Sequence, residues 1–449
     1  MRIALLSCYE LGHQPQGLAM PLAFLERAGH RPMAQDLAVE PLDEQLIRTA
    51  DFVGISVPMH TALRLGVRVA ARVRELNPGV YLCFFGLYAP LNEAYLRASA
   101  DAILGGEHEA ELVALIDRLA SGTRDGTTPA VTLAKLAFPQ PRRDGLPVLD
   151  RYAKLIRDGR QHVAGYTETS RGCLHMCRHC PIPPVYGGRF FVVNAETVLA
   201  DVAAQVELGA AHVTFGDPDF FNGPKHGMAI VRELHRRWPA LTFDVTIKIS
   251  HLLAHRALLG ELAALGCAFV VSAVESLDDG VLSRLDKGHT RADFEQALAL
   301  ARRAGLVLRP TFVPFTPWTT LDQIVDLVDF LADEDLVGCV DPVQLSVRLL
   351  VPPGSLLLGP DTRHAFGELD SAALSYRWTH PDPRVDRLQE EIAEIAAAAT
   401  ADAGLDPAVV FARIRQLVHV TCGRHGVNTV ATARPPGPPP PRLSESWFC

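Results

Sequence analysis

The chain predicts an α/β protein with two successive βα series, the first doubly wound and the second a partial barrel, followed by a helical extension. Three observations carry this. The first ~120 residues alternate short apolar runs with helical spacing. Strand candidates then recur at regular intervals after residue 160, with helical stretches between them. Beyond Pro353 the strand pattern stops and helical spacing takes over.

In the first series, Arg2–Ser7 is an apolar run that ends in the polar loop CYELGHQPQG. Helical spacing over Leu18–Ala28 leads to a buried-type strand at Asp51–Val57. A helix is expected over His60–Leu76, with strands at Val80–Phe85 and Ala102–Leu104. GGEHEAELVALIDRLA then opens a helix with acidic residues in its first turn, where the helix dipole favours them. In such a doubly wound sheet, ligands sit at the carboxyl ends of the strands. Residues 1–122 are read as this domain, and 123–160, rich in Gly, Pro and charge, as a linker.

In the second series, strands are expected at His162–Thr169, His212–Gly216, Thr242–Ile249, Ala268–Glu275, Val307–Phe315 and Pro342–Val351. Helices such as Ala195–Leu208 and Arg291–Ala304 lie between them. These βα units make residues 161–355 a partial (βα)6 barrel. Asp244, Thr246 and Lys248 share one face of their strand, and Gln344, Ser346 and Arg348 one face of theirs. A filled barrel is apolar inside, so polar strand faces point to a cavity that holds water or ligand, with an edge strand whose face is solvated as the plainer alternative. Helices are expected at Arg384–Thr400 and Pro407–Val418, within a helical region spanning 356–421. Residues 422–449 contain the extended run PPGPPPP and end at Cys449.

With 449 residues the chain has room for several cores, and 48% hydrophobic with 21% charged residues is ordinary for a globular protein. A formal charge of −8 argues against a broad nucleic-acid face, which would be basic. No apolar run is long enough to span a membrane, so no membrane partner is expected. Nine cysteines with no secretory signal point to reduced thiols and a cytoplasmic location.

The chemistry concentrates in CLHMCRHC, where Cys173, Cys177 and Cys180 have the spacing C-x3-C-x2-C. Three readings are open on spacing alone. The thiolates can hold three corners of an iron–sulfur cubane and leave one iron open. They can hold zinc with His175 or His179 as the fourth ligand. They can also be inert loop thiols.

TSRGCLHMCRHC, placed after the first strand of a βα series, resembles the cluster loop of the radical S-adenosylmethionine (SAM) superfamily. VESLDDGVLSRLDKGHT, from Val274 to Thr290, is similar to a stretch of the subgroup that often carries an N-terminal cobalamin-type domain. The resemblance implies a [4Fe-4S] cluster on the three cysteines, SAM on the open iron and reductive cleavage to a 5′-deoxyadenosyl radical. It places Gly216, Asp217 and Asp219 at the SAM amino group, and Lys248, Ser250 and Glu275 among the SAM contacts. For Glu275, a salt bridge with Arg284 or Lys287 is the plainer alternative. Arg309 falls near the adenine. Two positions depart from the family pattern. His179 stands where an aromatic residue usually flanks adenine, and Phe315 where the fifth-strand motif has glycine.

In the first domain the resemblance places Ser56, Gly86, Gly105 and Glu107 at strand ends that would hold cobalamin. The loop with His13 lacks the pattern of a cobalt-ligating histidine. Cys449 is a candidate catalytic thiol, because some bacterial proteins resembling this one end in a cysteine- or selenocysteine-bearing tail. The implied function is modification of a small-molecule substrate, with cobalamin-dependent methyl transfer first and cobalamin-independent 3-amino-3-carboxypropyl transfer as the alternative. A zinc-containing scaffold is the reading from outside enzymology. The implied partners are the substrate and an external electron donor of the flavodoxin or ferredoxin type.

Overall fold

A computed structural model describes residues 1–124, 130–401, 406–424 and 439–445. Cys449 lies outside the described residues.

The N-terminal strands are β1 (Ile3–Ser7), β2 (Pro32–Asp36), β3 (Phe52–Ser56), β4 (Tyr81–Phe85), β5 (Ala102–Gly106) and β6 (Val131–Thr132). They form one parallel sheet in the order β2-β1-β3-β4-β5-β6. Helices Gln16–Arg27, His60–Leu76 and Glu109–Ala120 bury their apolar faces against it. Strands β1, β3 and β5 are buried along their whole length, as expected of a parallel sheet covered on both faces. The strand order reverses between β1 and β3, which makes their carboxyl ends the switch point where ligands bind in such sheets.

The second sheet begins with an antiparallel hairpin, β7 (Lys154–Arg157) and β8 (Arg160–Thr167). A short ribbon of β9 (Ser170–Gly172) and β10 (Phe190–Val192) flanks the cysteine loop. Strands β11 (His212–Phe215), β12 (Thr242–Thr246), β13 (Cys267–Glu275) and β14 (Leu308–Phe312) continue in parallel from β8. Further along, β15 (Leu369–Asp370) and β16 (Ser375–Tyr376) form a small hairpin. Near the C-terminus β17 (Arg442–Leu443) pairs antiparallel with β7. The curled sheet therefore runs β14-β13-β12-β11-β8-β7-β17.

The structure corrects one strand. Pro342–Ser346 is a 3-10 turn, and the expected sixth strand at 342–351 shrinks to a single parallel bridge between Phe315 and Arg348. Pro342 lacks the N–H that a ladder needs, and Phe315 N–H and Leu349 N–H make the two bonds of that bridge. Gln344 and Arg348 still line the cavity, but not as alternate residues of one strand.

The 130–153 segment is fastened to both halves. Arg143 is buried and pairs with buried Asp201 at 2.6 and 2.8 Å. It also donates to Gln14 and Gln16, both at 2.9 Å, and to the Tyr166 carbonyl. Helices Pro383–Ala401 and Pro407–Thr421 pack over the barrel's open side. Among the described residues, no helix is long and apolar enough to cross a membrane.

Candidate active site

The carboxyl ends of the two sheets face one cavity of about 490 Å³. Ser56, Gly86 and His108 line it from the N-terminal side, and Cys173, Cys177 and Cys180 from the barrel side.

The cysteine loop is set by its entry. Gly172 has φ +74°, and a Cβ there would run into the Arg189 carbonyl and the Tyr186 ring, so only glycine fits. Cys173 and Cys177 are buried, and no disulfide ties the three thiols. Burial pushes the Cys180 thiol up to about 12. Two ammonium groups approach the loop. Lys248 Nζ lies 3.6 Å from Cys177 Sγ, and Lys287, which follows the short helix Asp279–Arg284, acts electrostatically on Cys180. Thiolates formed here therefore have counter-charges in place.

Glu275 ends β13 at φ +69°, just past a register shift in the ladder with β14. A bulge of this kind re-aims a side chain, and the left-handed backbone is a cost that a non-glycine residue rarely bears. Its carboxylate accepts from Lys287 Nζ and His179 Nε2, each at 3.1 Å. Burial opposes the charge, but the lysine and the imidazole prevail and hold Glu275 well below the usual carboxylate range. Both readings of Glu275 thus meet: it forms the salt bridge with Lys287 and still lines the cavity. His179, which replaces the usual aromatic residue, is fixed by this carboxylate.

After β11, a Cβ on Gly216 would collide with the Tyr166 ring, so the glycine lets that ring pack close. Asp217 accepts from Thr169 N at 2.8 Å and from the Thr169 and Ser170 hydroxyls at 2.6 Å, while burial raises its pKa. Asp219 Oδ1 accepts from Phe221 N, and Oδ2 faces His175 and His251. Lys248 lines the cavity, but Ser250, two residues on in helix Ile249–Ala254, does not. Arg309 reaches the cavity with its guanidinium already bonded to Asp341 at 3.2 Å and close to the Pro441 carbonyl. On β12, Asp244 accepts from Thr214 at 2.7 Å and meets His212 Nε2 at 2.8 Å, so the polar strand face does turn inward.

On the N-terminal side, Ser56 lies against Gly17 at the switch point, and Gly86 adopts φ +109°. Gly105 and Glu107 sit behind the wall rather than on it. A Cβ on Gly105 would strike Pro90, and Glu107 is wholly buried and accepts from Tyr186 Oη at 3.1 Å.

Sequence reasoning missed the seam between the domains. Arg171, in the cysteine motif itself, pairs with Glu109 and with Glu168 at 3.0 Å, and its Nη1 lies 3.9 Å from Glu107. Burial pushes Glu107 up, whereas Arg171 holds Glu109 down. Glu10 and His13, from the first loop, also line the cavity. Burial raises Glu10 to about 8 and lowers His13 to about 4, so both are neutral near pH 7. The only sequence signal for them was a polar loop after a first strand. At the far end of the chain, Leu443 of β17 and Glu445 complete the wall, and Glu445 is bonded to Tyr9.

Known proteins resemble this chain in the same two parts. Residues 167–331 match the model of the radical SAM superfamily. A Methanocaldococcus jannaschii protein bearing the name of a methylthiotransferase is 22% identical over 343 residues, which are 71% of this chain and 72% of that protein. Among solved structures, the radical SAM methyltransferase TsrM from Kitasatospora setae, with cobalamin and a [4Fe-4S] cluster bound, matches with TM-score 0.61 at 18% identity. The match covers 74% of this chain and 73% of TsrM. The cobalamin-dependent SAM radical enzyme OxsB, with aqua-cobalamin and SAM bound, gives 0.70 at 15% identity, over 94% of this chain and 71% of OxsB. At such identities the likeness is one of fold, and with OxsB it takes in both domains.

Proposed function

We propose that this chain, a radical SAM enzyme, transfers a methyl group to a small polar molecule with the help of a cobalamin held between its two domains. The observation that carries the reading is the shared cavity, which joins the three thiols to the switch point of the N-terminal sheet.

The residues present fit both groups. Three unpaired thiols on one short loop, with Lys248 and Lys287 beside them, suit a [4Fe-4S] cluster. The N-terminal wall offers Ser56, Gly86 and Gly106 at strand ends, where the absence of side chains lets a broad ring approach the backbone. Bound there, the cluster would supply the electron that opens SAM, and the cobalamin would carry the methyl group.

The chain's own residues hold, orient and exclude. Lys248 and Lys287 offset negative charge at the thiols. Glu275, pinned by Lys287 and His179, offers a fixed carboxylate at the barrel mouth. Asp244, Thr246 and Gln344 give the substrate end of the cavity polar contacts, which favours a polar ligand over a hydrocarbon. TsrM binds tryptophan in another of its structures, a polar metabolite of the class these contacts would take. The electron is expected from a flavodoxin- or ferredoxin-type donor, and Cys449 remains a candidate thiol for this chemistry.

Anaerobic reconstitution with iron, sulfide and hydroxocobalamin, followed by gel filtration and visible spectroscopy, tests the reading. Cobalamin should travel with the chain, and incubation with SAM and a reductant should yield S-adenosylhomocysteine. A chain that takes up the cluster but never cobalamin would sink it, and methylthioadenosine as the product would favour aminocarboxypropyl transfer instead.

A further inference from the structure

One cluster beside the cysteine loop takes no part in the chemistry proposed above. His175 comes from the loop itself, between Cys173 and Cys177. Asp219 follows β11, and His251 lies in helix Ile249–Ala254 after β12. Their ligand atoms all lie within 4.8 Å of one another. His175 Nε2 is 3.4 Å and His251 Nδ1 2.7 Å from the same oxygen, Asp219 Oδ2.

These approaches are close, yet none meets the geometry of an aligned hydrogen bond, although both imidazoles favour the charged Asp219 carboxylate. The 2.7 Å approach is within hydrogen-bond reach, whereas 3.4 Å is longer than N–H···O bonds usually run. The Asp219 side chain is only 2% exposed, and a carboxylate oxygen at that depth needs a compensating partner. Two imidazole nitrogens and a carboxylate oxygen gathered within 4.8 Å of one another are a donor set that a metal ion can take.

We propose that His175, Asp219 and His251 form a second metal site, distinct from the cysteine site, for a divalent ion of the Zn²⁺ or Fe²⁺ class. Two imidazoles and one carboxylate are a borderline donor set, suited to these ions rather than to Mg²⁺ or Ca²⁺. Bonds of about 2.05 Å in a tetrahedron place ligand atoms roughly 3.3–3.4 Å apart. The 3.4 Å pair already has that spacing. The 2.7 Å pair must open to reach it, a movement within reach of histidine side-chain rotation.

Three protein ligands leave a position free, and His175 and Asp219 both line the large cavity, so that position faces it. Water or a substrate donor atom can take it. The ion would also pin the cysteine loop to the ends of β11 and β12, through His175 on one side and Asp219 and His251 on the other. Asp219 would then serve the ion rather than the SAM ammonium.

The test uses the full chain with its cluster already built, so that the cysteines are occupied. After anaerobic dialysis against Zn²⁺ and removal of loose ion, elemental analysis should find one tightly held zinc per chain beside the cluster iron. His251→Gln and His175→Gln should each lose that zinc while keeping the cluster's visible absorption. Co²⁺ loaded in place of zinc should show weak ligand-field bands without thiolate charge transfer, as nitrogen and oxygen ligands dictate. No tightly held zinc in the parent chain overturns the proposal, and so does zinc retained in both variants or a thiolate band with cobalt. If one variant fails to fold, the other variant and the cobalt spectrum still decide.

Discussion

Where the barrel wall of the cavity presents charge around the thiols, the N-terminal wall presents mainly backbone and neutral groups, with the Glu109 carboxylate taken up by Arg171 at the seam. On the barrel side, Lys248, Lys287 and Glu275 surround the thiols, with Lys287 and Glu275 paired to each other. On the other side stand Gly86, Gly106 and Ser56, with a Glu10 raised by burial and a His13 lowered by it. The difference separates two tasks. Charge steadies a group whose own charge changes during reaction, whereas bare strand ends make room for something large and let it lie flat. The seam between the walls is a third kind of structure, a single guanidinium shared by three carboxylates.

The largest expected effect breaks one wall and leaves the other. Cys177→Ala should abolish the cluster's visible absorption and reduce 5′-deoxyadenosine formation to background. The N-terminal sheet shares no strand with the cysteine loop, so the same variant should still retain cobalamin. Loss of both together would show that the walls are not independent.

The next effect tests the seam. Arg171→Met leaves Glu107, Glu109 and Glu168 buried without their cation, and its guanidinium no longer stacks over Phe138 of the connecting segment. Removing one partner of a buried ion cluster costs about 3–5 kcal/mol. The urea midpoint of the reconstituted chain should fall accordingly. Glu107→Gln, which relieves repulsion among the carboxylates, should cost much less. A midpoint unchanged in Arg171→Met would show that the domains hold together without this residue.

Legibility followed sequence distance. The cysteine loop and the stretch from Glu275 to Lys287 are each contiguous in sequence, so each could be read as a motif, although spacing alone left the metal open and the family resemblance chose the reading. β12 showed its inward face because alternation is a local property, and Asp244 and Thr246 line the cavity as expected. The sixth strand failed because VQLSVRL alternates like a strand while Pro342 denies it a ladder bond. The seam and Arg143 were illegible for another reason. Arg143 bonds to residues 58, 127 and 129 positions away, and no local pattern marks such a partner. His251 was likewise an ordinary residue until the fold set it beside Asp219, and the motif marked His175 only as a fourth ligand for the cysteines.

The smallest effect sharpens the comparison of the walls. Glu10 accepts from Gly17 N–H at 3.0 Å, and burial, with Glu168 and Asp36 nearby, raises it to about 8 against the partial relief of that hydrogen bond and Arg143. The folded chain thus keeps this proton where the unfolded chain has already released it. Glu10 therefore makes stability fall as pH rises from the ordinary carboxylate value towards about 8, and contributes no slope beyond either end. Glu10→Gln keeps an acceptor for Gly17 and removes the titration. Relative to the parent, it should gain about 1 kcal/mol between pH 5 and pH 8, well under the full linkage value because the cavity admits solvent. Other buried carboxylates, Glu168 and Asp217 among them, shape the absolute curve, so the difference between the two chains is the quantity to measure, by urea unfolding at several pH values. A difference that does not change with pH would mean Glu10 is ionised in the folded chain, and the N-terminal wall would then be a charged surface like the one it faces.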